Sequence, residues 1–240
     1  PLVDGGNRAQ GIGLSLSARS HIVVRNLQIR NYLIGLYGQN TKSSTVDNVY
    51  AANLGDLQAD YSGVGIKLST GSDNNVISNS VVFNAASEGI MVHGNYNVVD
   101  SSKVFANDNS TGVKSSTDYY IMANGNYNII RNNLAHRMIE LVHGGHGIGT
   151  KKNAEFNTFE DNVAINFTGA AYYVRHRGSK NNTFSRNRAT DGWGIGFNAR
   201  DGANNNLIED HVVEGMGTGI MFFDDVEDGG LQTAADNNRF

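Results

Sequence analysis

The amino-acid sequence predicts an all-β solenoid, a right-handed parallel β-helix of about nine coils, and three observations lead there. A short segment recurs along the chain at intervals of about two dozen residues. Each copy is followed by a run of period-two alternation, which marks a strand with one buried face. Of 240 residues, 29 are Gly and 32 are Asn, while Pro occurs once and Cys not at all. Gly and Asn enter left-handed backbone at low cost and close tight turns. With Val, Ile and Thr between them, they specify many short strands.

The first segment reads Asn-apolar-apolar in Asn75-Val76-Ile77, Asn97-Val98-Val99, Asn128-Ile129-Ile130, Asn157-Thr158-Phe159, Asn182-Thr183-Phe184 and Asn206-Leu207-Ile208. Degenerate copies begin near His21 and Ser43, so the start-to-start spacings are 22, 32, 22, 31, 29, 25 and 24. The second segment includes Gly35-Leu36-Tyr37, Gly63-Val64-Gly65-Ile66, Gly89-Ile90-Met91, Gly147-Ile148-Gly149, Tyr172-Tyr173-Val174, Gly194-Ile195-Gly196-Phe197 and Gly219-Ile220-Met221. Neither reaches helical length, and helical solenoids need repeats of roughly 30 residues or more with a 3.6 period.

Strands that recur once per turn stack about 4.8 Å apart, each repeat position above its equivalent. The apolar positions then form internal columns, with Val99, Ile130, Phe159, Phe184 and Ile208 expected in the core. The Asn positions form a ladder whose amides satisfy one another. Residues 1–240 are expected to make one domain in which each coil leans on its neighbours. The sequence opens inside a coil and closes on what looks like another, Asn237-Asn238-Arg239-Phe240. A longer chain is therefore expected, with flanking domains or an oligomer covering the sheet edges at the ends.

The net charge of −4 argues against nucleic acid as a partner, and no apolar stretch has the length of a membrane span. No cofactor is expected. The acidic run from Asp224 to Asp228 offers hard oxygen ligands for Ca²⁺ but lacks the alternate spacing of a Ca²⁺ loop. His143 and His146 are metal-ligand types on a Gly-rich turn without matching carboxylates, so no metal site is expected.

The repeats resemble the pectin-lyase-like right-handed β-helix superfamily, most closely the Asn-rich repeats of carbohydrate-binding and sugar-hydrolase proteins and of the NosD type. The resemblance covers essentially the whole chain. It implies the scaffold strongly and the activity weakly, since that superfamily includes lyases, epimerases, hydrolases and non-catalytic proteins. It also implies a secreted, periplasmic or cell-surface location.

Aligning the second segment by its apolar positions gives an outward row of Gln39, Lys67, His93, Asn124, Lys151, Arg175, Asn198 and Phe223. Tyr37, Gly65, Met91, Met122, Gly149, Tyr173, Gly196 and Met221 lie one step back, with Arg177 and Arg200 one step forward. The insertions at residues 53–62, 107–117 and 136–145 all enter just before this strand, where they would wall a groove. A basic stripe on an acidic protein suits an acidic polysaccharide. Solvated outward positions on an inert rod would look similar.

Uronate β-elimination needs a cation to neutralise the carboxylate, a base for the α-proton and an acid for the leaving oxygen. Lys151 and Arg175 are the expected neutralisers, His146 the base and Tyr173 the acid. Lys67, His93, Asn124, Arg177, Asn198 and Arg200 are expected to line the groove. The leading reading is a polyuronate lyase or related uronate-modifying enzyme, although the alginate-epimerase signature Tyr-Gly-x-Asp-Pro-His is absent.

Two alternatives stand beside it. One is a non-catalytic structural or sugar-binding β-helix, such as a spike or surface protein. The other is a polygalacturonase-like hydrolase, resembled by Glu88, Asp118, Gly145-His146-Gly147 and Arg175-His176-Arg177 on successive coils. That family's Asp pair is here reduced to Thr117-Asp118, and its Arg-x-Lys is Arg-x-Arg.

Overall fold

The computed structural model describes residues 1–57, 59, 62–107, 117–138, 145–223 and 235–240. It is a right-handed parallel β-helix of about eight turns, with no helix among the described residues. His143 and the acidic run from Asp224 to Asp228 lie outside the described residues.

Each coil contributes three strands where the sequence pattern suggested two. A first sheet stacks Val76–Ser78, Val98–Asp100, Ile129–Arg131, Thr158–Glu160, Thr183–Ser185 and Leu207–Glu209 in register. A second stacks Val81–Ala85, Lys103–Ala106, Leu134–Arg137 and Val163–Ile165, then the start of Arg188–Arg200 and of Val212–Phe223. A third stacks Ile34–Gly38, Val64–Leu68, Glu88–Val92, Tyr119–Ala123, His146–Lys151 and Ala170–Arg175, then the ends of those same two long strands.

The Asn content has two physical causes. Inside, Asn75, Asn97, Asn128, Asn157, Asn182, Asn206 and Asn238 form a ladder. Each Nδ2 donates to the next Oδ1, at 3.0 to 3.2 Å, and the same oxygen accepts the backbone N–H of the residue above. A second ladder, Ser102, Asn133, Asn162 and Asn187, runs at the next corner. Outside, the residue before each rung turns the chain in left-handed backbone. Asn74, Tyr96, Tyr127, Phe156, Asn181 and Asn205 have φ between 56° and 59°, and Asn79, Ser101, Asn132, Asp161 and Arg186 between 49° and 55°. Doubled Asn pairs such as Asn181-Asn182 therefore combine an outer corner with an inner rung.

The interior is mostly apolar along the described coils, with Arg137 the largest buried side chain among them. Val99, Ile130, Phe159 and Phe184 are fully buried and Ile208 is 2% exposed. Phe159 and Phe184 stack face to face on adjacent coils, with centroids 4.4 Å apart. This column-on-column packing fixes coil spacing, and it thereby fixes where outward side chains land relative to one another.

Candidate active site

The third sheet carries the site on its outer face, and its register decides which side chains meet. Glu88, Tyr119 and His146 occupy one column on successive coils. Further along the strands, Lys67 pairs with Met91, Met122 with Gly149, and Gly149 with Tyr173 and then Asn198. Lys151, Arg175 and Arg200 pair in turn two residues later.

This corrects the sequence-based rows. Lys67 and Asn198 belong one rung back, with Met91 and Tyr173, and Arg200 belongs in the row with Lys151 and Arg175. The cause is the doubled Gly-apolar-Gly-apolar of Gly63-Val64-Gly65-Ile66 and Gly194-Ile195-Gly196-Phe197. Both dipeptides fit the pattern, and a slide of two residues keeps every side chain on its face.

A cavity of about 610 Å³ opens over this surface, lined by Ser87, Glu88, Asp118, Tyr119, His146, Lys151, Lys152, Arg175, His176 and Arg200. His146, Lys151 and Arg175 thus converge as expected, and Arg200 joins them. Tyr173 does not line the cavity. Its ring packs beneath, with centroids 5.6 Å from His146 and 5.5 Å from Tyr119, and it is fully buried with Val64, Met91 and Met122.

Gly149 makes that seat, because a Cβ there would stand 2.8 Å from Tyr173 Cγ. The Tyr173 hydroxyl is buried without a hydrogen-bond partner among the described residues. Tyr119 takes the half-buried place above it and lines the cavity, a residue the sequence reading passed over. Its signal was available in its register with Glu88 and His146.

The remaining expected groove residues spread out. His93 and Asn124 continue the Lys151 row away from the cavity, and Asn124 Oδ1 accepts the Lys151 N–H at 3.2 Å. Asn198 is fully buried, and Arg177 is exposed on the turn beyond the strand. Lys67 approaches Glu88 at 3.9 Å. Lys152, at a strand end, was not anticipated, and His176 entered only within Arg175-His176-Arg177. Both sit in left-handed backbone, which brings them round onto the cavity.

The electrostatics follow from cations gathered on a partly desolvated surface. Burial first, then Arg175, Arg200, Lys151 and Arg137, hold His146 well below its ordinary pKa, so its imidazole is neutral. Its Nδ1 accepts the Ala170 N–H at 3.1 Å, and Arg175 Nη1 stands 3.0 Å from Nε2. Burial and Asp118 push Tyr119 up to about 12, so its phenol keeps the proton. Lys151 Nζ sits over the Tyr119 ring, 3.9 Å from its centroid.

Burial raises both Glu88 and Asp118, against opposing pulls from Lys67 and Lys151 on Glu88, and from Lys151, Arg175 and Arg137 on Asp118. Arg137 is fully buried and donates to Thr168 Oγ1 at 2.9 Å. Among the described residues, no group of three or more His, Cys, Asp or Glu side chains is placed to hold a metal. No helix among them is long and apolar enough to cross a membrane.

No family model and no curated protein matches the chain. Solved structures do. An alginate lyase from Paenibacillus sp. str. FPU-7 aligns with TM-score 0.63 and 15% identity, over 93% of this chain and 79% of that one. The Azotobacter vinelandii mannuronan C-5 epimerase AlgE6 A-module aligns with TM-score 0.56 and 12% identity, over 92% and 63%. The catalytic unit of a thermostable GH87 α-1,3-glucanase from Streptomyces thermodiastaticus strain HF3-3 aligns with TM-score 0.60 and 12% identity, over 94% and 50%. The chain thus spans about two thirds of the epimerase module's length and half of the glucanase's. These likenesses show a shared parallel β-helix fold.

Proposed function

We propose that this protein is a carbohydrate-active enzyme that cleaves an acidic polysaccharide by β-elimination, outside the cell or at its surface. One observation carries the reading: Lys151, Lys152, Arg175 and Arg200 share one cavity with a neutral His146 and a protonated Tyr119, on a chain of net charge −4. Cations of that density would neutralise a uronate carboxylate and acidify the proton α to it.

His146 would take that proton on Nδ1, the nitrogen that carries the lone pair, with the Ala170 N–H giving way to substrate. The cations that depress it are also the ones a bound carboxylate offsets, so substrate would make it a stronger base. The C4–O bond then breaks as the C4–C5 double bond forms, and Tyr119 would hand its proton to the leaving oxygen. Tyr119 replaces Tyr173 in this role because it reaches the cavity. The convergence of these side chains favours an enzyme over a non-catalytic rod, on which they would splay into solvent.

Glu88 and Asp118 support a second reading, hydrolysis of a glycosidic bond by two carboxyl groups. Both line the same cavity, and burial holds each toward its protonated form. A polyuronate panel separates the two: elimination gives an unsaturated, ultraviolet-absorbing end, and hydrolysis gives reducing ends alone. Loss of turnover in Glu88→Gln or Asp118→Asn, with Tyr119→Phe still active, would transfer the assignment to hydrolysis. No turnover of any acidic polysaccharide would return the protein to a binding or structural role.

A further inference from the structure

Trp193 is the chain's one Trp and its side chain is 77% exposed. An indole left in water costs solubility and apolar burial, so its placement calls for a cause. The local backbone points to one. The strand Arg188–Arg200 pairs Gly192 with Met216 but Ile195 with Thr218, so Trp193 and Gly194 together face Gly217 across a β-bulge. Bulges of this kind re-aim a side chain. The neighbours at this register are small: Gly217 on the next coil and Thr168 on the coil before, the latter engaged with Arg137. No aromatic ring packs on the indole among the described residues.

Trp193 lies outside the cavity but on the strand that carries Arg200, seven residues before it, and Arg200 lines the cavity. His146 stands opposite Ala170, whose N–H it accepts, and Ala170 pairs with Ile195. Trp193 therefore lies two coils beyond His146 and two residues back, roughly 10 Å along the rod and 7 Å across it. An extended pyranose polymer advances by nearly one coil repeat per sugar, so a ring about two sugars from the reacting bond arrives at this indole.

We infer that Trp193 is a saccharide-stacking subsite, which takes the apolar face of a pyranose ring in the same polymer whose charged groups meet Lys151, Arg175 and Arg200. Aromatic rings supply large contact area at little entropic cost, and they need no charge on the sugar. The subsite extends the acidic-polysaccharide reading and rests on it for the course of the chain.

The test uses the intact protein and oligouronates of defined length, dimer, trimer and hexamer, with a neutral hexasaccharide in parallel. Binding is followed by calorimetry and, separately, by the emission of Trp193, which as the only indole reports its own surroundings. The hexamer should shift that emission and the dimer should not. Trp193→Ala, an exposed position whose folding is checked by its melting curve, should weaken the hexamer about tenfold and leave the dimer unchanged. Hexamer binding that is salt-sensitive yet leaves the emission and the Trp193→Ala affinity unmoved overturns the subsite and spares the acidic-polysaccharide reading. A shift with the neutral sugar alone overturns that reading and keeps the platform. No binding by any sugar overturns both.

Discussion

Replacing Asn157 by Leu should cost more than its added apolar bulk returns. Asn157 is fully buried at the middle of the first ladder. Its Oδ1 accepts both the Asn128 N–H at 2.8 Å and Asn128 Nδ2 at 3.0 Å. Its Nδ2 donates to the Gly125 carbonyl at 2.8 Å and to Asn182 Oδ1 at 3.0 Å. Leu strands two buried donors and a carbonyl, while Asn182 Oδ1 keeps the Asn157 N–H at 2.9 Å. Two orphaned donors cost about 2–6 kcal/mol together, and burying the Leu side chain returns about 1.5–3 kcal/mol.

A net loss of about 2 kcal/mol follows, which lowers the melting temperature by about 4–8 °C in a chain of this size. Asn157→Ser should cost less, because a hydroxyl serves the ladder elsewhere: Ser44 Oγ accepts the Ile22 N–H at 3.1 Å. Thermal and urea unfolding followed by circular dichroism would measure both. A Leu variant that melts with the parent, or above the Ser variant, would refute the ladder as a net source of stability.

In the core, Phe159→Ala removes one half of the Phe159–Phe184 stack and should cost about 3–5 kcal/mol by denaturant unfolding. At the site, Tyr119→Phe should collapse turnover with little change in binding, whereas Tyr173→Phe, which removes a buried hydroxyl, should leave kcat near the parent value; the opposite ranking would reinstate Tyr173 as the acid. Acid should destabilise the fold through its buried imidazoles. Burial lowers His93 and His211 from 6.5 to about 4, so the unfolded chain binds more protons than the folded one between those values. Their contribution is complete above pH 6.5 and is lost as pH falls towards 4, by about 3 kcal/mol at most for each. His211→Asn should flatten that slope of stability against pH, and an unchanged slope would rule His211 out as its source.

The fold was legible because a solenoid writes its architecture once per turn. Rung positions, core columns and left-handed corners each demand a residue type, and these demands recur in step. The third sheet's strands were legible from Gly-apolar alternation, but the corner inside the first segment was not. Residues such as Asn79 and Asp161 read as polar positions in one strand, although their left-handed backbone divides it into two. The site was legible in composition and blurred in register. Lys67, Asn198 and Arg200 slipped by one rung wherever Gly-apolar occurs twice in succession. Tyr173 against Tyr119 turned on something no single coil shows, the vacancy that Gly149 on the preceding coil leaves for a ring. Side chains near the bend of a strand depend on the coil before and the coil after, and sequence spacing carries only one of those relations.

The outward charges of the rod divide into two regimes, and the division bears on function. Parallel stacking lays each repeat position over itself, so a charge at one position meets whatever the next coil carries there. On the first and second sheets and their corners the signs alternate. Arg30 meets Asp4 at 2.7 Å, Arg25 meets Asp47 at 2.9 Å, Arg131 meets Asp100 at 2.9 Å, and Arg186 meets Asp161 at 2.8 Å. On the third sheet the sign repeats, as Lys151, Arg175 and Arg200 follow one another on successive coils. The cost registers in the neighbours: burial first and then Arg200 lower Arg175, and burial with the whole group lowers His146. Asn can repeat in a column because an amide both donates and accepts, but a guanidinium only donates. A column of one sign therefore gains nothing from stacking, and a rod shaped for stability alone would alternate there as it does on its other faces. Asp201 meets Arg200 at 3.0 Å from within its own coil, and an anionic chain lying along the column would add negative charge on each coil, an arrangement that suits an acidic polymer and not a small neutral ligand.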